Sequence, residues 1–186
     1  MISFIMSSII KTSERVRDFG EVFTQNSMVC EMLDVLPTSV FKASDNLTFF
    51  EPSCGDGNFL NEILKRKLVK CNQNLLNIAF IVSSLYGVDI IEDNVIACKK
   101  RLSDTVFNFL AEFKIKNNAN FKKAIHSILN LNILVGNTLV PESIKFVEWE
   151  CTKSGLNGKI VNFSDMLSDD LLFDFINNDS IFIKIA

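Results

Sequence analysis

The chain has 186 residues, 48% of them hydrophobic and 17 of them phenylalanine, which is one domain's worth of sequence with enough apolar material for a sizeable core. A net charge of −3 argues against a free-standing nucleic-acid binder, which carries a basic footprint. The longest apolar-rich run, Leu75 to Tyr86, is well short of the ~20 residues of a membrane span.

The N-terminal stretch, residues 1–13, is apolar at its start but has no basic residue ahead of that run and no clear cleavage site, so it reads as a tail or a packed segment and not a signal peptide. Ser27 to Leu36 carries Met28, Val29, Met32, Leu33 and Leu36 at helical spacing, with Ser27 as a candidate N-cap and Pro37 just beyond the end. Leu47 to Phe50 reads as a buried strand. Gly57 to Val69 reads as a helix with Phe59, Leu60, Ile63, Leu64 and Leu68 on one side, and Leu75 to Ser84 as a second helix. Leu85 to Ile90 is the next strand, followed by a helical stripe from Glu92 to about Phe113, a helix over Phe121 to Leu131, and a short strand, Ile133 to Val135.

The order strand, helix, strand, helix, strand predicts an α/β fold with a parallel, doubly wound sheet. We place its domain at residues 14–140. After Pro141 the character changes: Ser143 to Glu150 and Lys159 to Phe163 flank a Gly-containing stretch and predict a β-hairpin, with a strand-like end over Ser180 to Ile185. Residues 141–186 are therefore a hairpin and C-terminal extension of the same domain. The basic runs Lys65-Arg66-Lys67 and Lys99-Lys100-Arg101 read as solvated helix faces. Asp165 to Ile183 holds five Asp and no Lys or Arg, and should repel phosphate. Five scattered cysteines (Cys30, Cys54, Cys71, Cys98, Cys151) form no CxxC, and the lone His126 cannot complete a Cys/His zinc set. No metal is expected, and free thiols point to a reducing, cytoplasmic setting.

The stretch with the most chemistry is Phe49-Phe50-Glu51-Pro52-Ser53-Cys54-Gly55-Asp56-Gly57-Asn58-Phe59-Leu60. An apolar run stops at an acid and a proline, a two-glycine turn follows, and a helix begins. Glycines here allow positive φ and close backbone approach, and the helix aims its free N–H groups into the turn. Such a turn, at the carboxyl end of a strand, suits a small polar ligand. The spacing is not GxGxxG, which disfavours a dinucleotide.

As a whole string it resembles motif I, the S-adenosylmethionine (SAM) loop of DNA adenine-N6 methyltransferases. Gly20-Glu21-Val22-Phe23-Thr24 resembles the family's motif X, with Gln25 where Pro follows the Thr; Tyr86-Gly87-Val88-Asp89-Ile90 resembles motif II; and Val135-Gly136-Asn137-Thr138-Leu139 resembles motif III. The four occur in the family's linear order. The resemblance implies a Rossmann-like SAM-dependent methyltransferase fold with SAM as cofactor. Thr24 would then hydrogen-bond the SAM carboxylate, Glu51 would lie near its amino group, and Asp89 would accept the ribose hydroxyls, with Ile90 on the adenine face. Pro52, Cys54, Gly55, Gly57, Asn58 and Phe59 would form the loop around the ligand. Asn137, where the family carries Asp, would accept the adenine amine more weakly, and Thr138 would lie beside it. Outside the resemblance, Asp89 reads as a cap for the helix at Glu92, and Asp56 and Asn58 as turn formers.

The family's motif IV, an Asn/Asp/Ser-Pro-Pro-Tyr/Phe tetrapeptide that holds the target amine, has no counterpart; the three prolines are Pro37, Pro52 and Pro141. Its nearest relic is Asp179-Ser180-Ile181-Phe182, which makes Asp179 and Phe182 the candidate catalytic pair, although a terminal strand is the stronger reading of that piece. The resemblance thus covers the SAM-binding half of the fold, an incomplete sheet. A partner chain would supply the tetrapeptide and a basic recognition domain, or the chain would form a homo-oligomer; alone it would bind DNA only weakly, and no membrane is expected. The alternative is a catalytically inactive, methyltransferase-like binding module.

Overall fold

The computed structural model describes residues 24–42, 47–164 and 180–185. Helix α1 (Asn26–Asp34) buries Val29 and Leu33. It starts one residue ahead of the predicted cap. Gln25 is the N-cap, with no side-chain bond, and its carbonyl takes the Val29 N–H at 3.0 Å, so Ser27 lies inside the first turn. The helix stops ahead of Pro37, whose ring disfavours helical geometry in the residue before it. A single tight turn, Thr38–Phe41, buries Phe41 and leads towards β1 (Phe49–Glu51).

Helix α2 (Asn58–Val69) is capped by Gly57 in the left-handed region, φ 86°. Helix α3 (Leu75–Ser83) is capped by the Asn74 side chain, which accepts the Asn77 N–H at 2.8 Å. Strand β2 (Leu85–Asp89) is buried at all five positions, as a central strand must be. Helix α4 (Glu92–Glu112) opens on Glu92 and Asp93, acids that complement its positive end. Helix α5 (Ala119–Asn132) is capped by Asn118 and runs directly into β3 (Ile133–Val135).

The parallel sheet has the order β1-β2-β3, with Phe49 opposite Leu85 and Gly87 opposite Ile133. A second sheet is antiparallel: β4 (Lys145–Cys151), β5 (Gly155–Asn162) and β6 (Ser180–Lys184), in that order. The predicted hairpin and terminal strand are therefore present, joined in one sheet.

Alternation along β2 explains how the two sheets fit together. Leu85 belongs to the large core shared with the helices, and a Cβ on Gly87 would meet Leu60 of α2 at 2.9 Å. Tyr86 and Val88 point the other way, into a smaller core with Ile144, Phe146 and Phe163. The Tyr86 hydroxyl donates to the Val147 carbonyl at 2.8 Å, and its ring meets Phe146 edge-on. Among the described residues, the face that a doubly wound fold covers with helices is covered here by the antiparallel sheet. The aromatic residues of the hairpin supply that cover.

Asn132 locks the two layers together. Its buried amide donates to the Ser83 and Leu85 carbonyls at 2.9 and 3.0 Å and accepts the Trp149 indole N–H at 2.9 Å.

The first basic run is not a solvated face. Arg66 reaches Asp34 (2.8 Å) and Glu62 (3.1 Å) and donates to the Cys30 carbonyl, docking α1 on α2. Lys67 is buried at 2% exposure. No described helix is long and apolar enough to cross a membrane.

Candidate functional site

The carboxyl ends of the three parallel strands meet in one hydrogen-bonded knot. Pro52 ends β1, and the chain turns over the end of β2, where the Cys54 N–H donates to the Val88 carbonyl at 2.9 Å. Gly55 (φ 52°) and Gly57 (φ 86°) both take left-handed backbone, and the Gly57 N–H closes the turn on the Cys54 carbonyl at 2.8 Å. Gly57 is doubly constrained, because a Cβ there would lie 2.6 Å from the Cys98 sulfur of α4. The turn thus needs glycine both for its φ and for the close passage of α4.

Asp89 stands at the centre, 6% exposed. Its Oδ2 accepts the Gly55 N–H at 2.9 Å and its Oδ1 the Ile91 N–H at 2.9 Å, with the Asn94 amide at 3.4 Å. The acid therefore braces the start of α4, as its capping reading has it, and it also faces the glycine turn. Its backbone carbonyl takes the Gly136 N–H at 3.0 Å, which brings in the loop after β3. There the Thr138 hydroxyl donates to the Pro52 carbonyl at 3.3 Å. The Asn137 side-chain oxygen accepts the Leu139 N–H at 3.0 Å, so it is engaged in its own turn.

Thr24 reaches the same place from the other side, its carbonyl accepting the Asn58 amide at 3.1 Å. The rest of the motif X string, Gly20 to Phe23, lies outside the described residues. Arg101 of α4 completes the arrangement. It donates to the Asn58 side-chain oxygen and pairs with Asp56 Oδ2 at 2.5 Å. The second basic run is thus divided: Lys100 pairs outward with Asp104, while Arg101 turns into the site. Nothing in the spacing of Lys99-Lys100-Arg101 separated the two. The distinguishing signal was three-dimensional, namely which of the three lies on the α4 face towards the turn.

Glu51, at the end of β1, is half-buried; burial raises its pKa, and a bond from the Ser53 backbone pulls it back in part. The Cys54 thiol is held protonated, its pKa pushed well up by its hydrogen bond with the Cys98 thiol, by burial and by the nearby charges of Asp89 and Glu51. Cys54 is buried and packs under the turn, against Gly87 of β2. Ile90, 49% exposed, presents an apolar side chain beside Asp89. Phe59 packs partly buried against the helical core.

The structure gathers Thr24, Pro52, Cys54, Gly55, Gly57, Asn58, Asp89 and Thr138 into one bonded constellation. It does not bring Phe182 into the parallel sheet. That residue lies in β6, opposite Asn157 of β5, and is 54% exposed. Asp179 lies outside the described residues.

Comparison with known proteins gives a relative. The chain is 33% identical over 85 residues to the type II methyltransferase M.VspI of Vibrio sp. (strain 343). The match takes in 46% of this chain and 17% of the relative, so the chain spans less than a fifth of that protein's length. No protein-family model matches the chain, and no solved structure matches it.

Proposed function

We propose that this chain is the SAM-binding part of a DNA adenine-N6 methyltransferase of the restriction-modification type, acting with a partner chain that supplies the target-amine tetrapeptide and the DNA-recognition surface. The observation that carries the reading is the junction of Gly55 and Asp89: a two-glycine turn at a helix N-terminus held against a buried acid at the end of the adjacent parallel strand. The similarity to a type II methyltransferase points the same way.

The donor set fits such a cofactor. The N-terminus of α2 offers backbone N–H groups to a carboxylate. Asp89 offers Oδ2 as an acceptor for a ribose hydroxyl, since that oxygen takes only the Gly55 N–H, whereas Oδ1 takes both the Ile91 N–H and the Asn94 amide. Ile90 offers an apolar face, and half-buried Glu51 an anion suited to an ammonium. Bound there, SAM would supply an electrophilic methyl group for transfer to an amine. This chain's own part is to bind and orient that group; Cys54 and Cys98 contribute packing beneath it.

A second reading, a methyltransferase-like module that binds without catalysing, is favoured by the placement of Phe182 in the antiparallel sheet. One series of measurements separates the two. Calorimetric titration of the chain with SAM and with S-adenosylhomocysteine should show micromolar binding that Asp89→Ala removes. Labelled methyl transfer to DNA should then appear only when a chain carrying Asn-Pro-Pro-Tyr is added. Folded protein with no affinity for either compound would sink the cofactor assignment. Binding without transfer, whatever chain is added, would leave the non-catalytic module standing.

A further inference from the structure

Resting on the cofactor reading above, we propose that Arg101 is the positioning residue of this site, a clamp that sets the glycine turn and ties it to the Thr24 segment. Three contacts carry this. One guanidinium nitrogen pairs with Asp56 Oδ2 at 2.5 Å, and the other donates to the Asn58 side-chain oxygen. Asn58 spends its amide on the Thr24 carbonyl at 3.1 Å. Arg101 therefore grips both ends of Gly57, the residue whose backbone is the most constrained in the turn, and through Asn58 it reaches the other wall of the site. The planar fork of arginine suits two acceptors at fixed spacing; lysine, a single ammonium, cannot serve both in the same geometry.

The clamp also has an electrostatic role. Asp56 puts a carboxylate beside the α2 N-terminus, whose N–H groups would receive an anion. Its Oδ1 is buried with no hydrogen-bond partner among the described residues. Arg101 offsets that charge. Without it the turn would confront an incoming carboxylate with a buried negative group, and the attraction of the α2 N-terminus would be opposed.

The test uses the full chain, ligand-free and with ligand. In ligand-free protein, amide hydrogen exchange at Gly55 and Gly57 should accelerate in Arg101→Gln, while Gly136, bonded to the Asp89 carbonyl, keeps its wild-type protection. Arg101→Lys should fall between the two proteins. Calorimetry with SAM should show Arg101→Gln weakened by about tenfold, the scale of one charge-assisted bond. The double variant Arg101→Gln with Asp56→Asn should regain part of that loss. A general packing role would not produce this recovery.

Unchanged exchange at Gly55 and Gly57 in Arg101→Gln overturns the clamp. A double variant as weak as Arg101→Gln alone overturns the electrostatic role. If the wild-type chain binds no SAM, the cofactor reading fails, and the exchange measurement still decides the clamp by itself.

Discussion

The two ends of the parallel sheet each bury one charge, and they treat it in opposite ways. At the carboxyl end, Asp89 meets backbone N–H groups from Gly55 and Ile91. At the amino end, Lys67 of α2 places its ammonium 2.7 Å from the Leu47 carbonyl and 2.7 Å from the Ser84 hydroxyl, over the Phe49 ring at 5.1 Å. The direction of the chain explains the signs: α2 and α4 begin at the carboxyl end and present N–H donors there, whereas the amino end exposes the carbonyls of the loops entering the strands. The chemistry differs because of side-chain bulk. Around Asp89 the chain is glycine, and the acid faces an open turn. Around Lys67 it is Phe49, Ser84 and the end of α2, and the charge is enclosed by structure. Under the proposed function the first end receives a ligand, while the second holds the fold.

The strongest way to break this contrast is to put bulk into the open end. Gly57→Ala adds a Cβ 2.6 Å from the Cys98 sulfur in left-handed backbone. The αL penalty and overpacking together predict a destabilisation of about 2–4 kcal/mol in urea unfolding, with loss of SAM affinity. Adding Cys98→Ala should recover the overpacking part and leave the backbone part. Wild-type stability in Gly57→Ala would show that the turn does not need the close passage of α4.

The closed end can be probed by pH. Burial lowers the Lys67 pKa from 10.5 to about 8. Below pH 8 the residue is charged in both folded and unfolded chains, and folding bears the full cost of burying the charge. Between pH 8 and 10.5 the unfolded chain holds the proton that the folded chain has lost, so stability rises with pH across that window, by up to about 3 kcal/mol. Lys67→Met should remove this rise while adding a nearly constant cost for the unpaired Leu47 carbonyl. The check is denaturant unfolding of both proteins at several pH values. A difference between them that does not vary with pH would contradict a buried cation at this end.

A smaller effect is expected where the same helix docks α1. Arg66 bonds Glu62, Asp34 and the Cys30 carbonyl. The Asp34 carboxylate is 69% exposed and contributes little through screening, so the loss in Arg66→Ala should be about 1 kcal/mol, carried by the carbonyl bond and by the packing on Phe41. Faster hydrogen exchange confined to α1 would show it; unchanged protection there would mean that α1 is held by Val29 and Leu33 alone.

These residues also show what was legible in the sequence. Strand β3 matches its predicted span, and α2, α3, β2 and α4 match theirs to within a residue or so, because apolar periodicity and the glycine at the start of α2 are local signals. The turn residues and Asp89 were legible for the same reason: each sits at the end of a recognisable strand. The roles of Arg66, Lys67 and Arg101 were not, since in both basic runs the inward and outward cations are adjacent in sequence and only the packing of α2 and α4 tells them apart. Nor did the pattern reveal which layer covers the second face of the sheet. An apolar strand at the centre of a sheet, such as β2, reads the same whether a helix or a hairpin lies against it.

The finest adjustment of the open end is at Asn137. The family resemblance places an acid there to accept the adenine amine, and this chain carries the neutral amide. Its oxygen already accepts the Leu139 N–H at 3.0 Å, and an aspartate oxygen can make that same bond, so Asn137→Asp should leave the loop intact. The carboxylate would add a second oxygen and a charge, and charge-assisted bonds are about twice as strong as neutral ones. SAM and S-adenosylhomocysteine should therefore both bind severalfold more tightly to Asn137→Asp, with thermal stability unchanged. The two ligands share both the nucleoside and the amino-acid tail, so an equal gain for both that adenosine, which lacks the tail, also shows assigns Asn137 to the adenine side of the site. A gain for SAM alone would place it near the sulfonium, and no gain for either would remove it from the site.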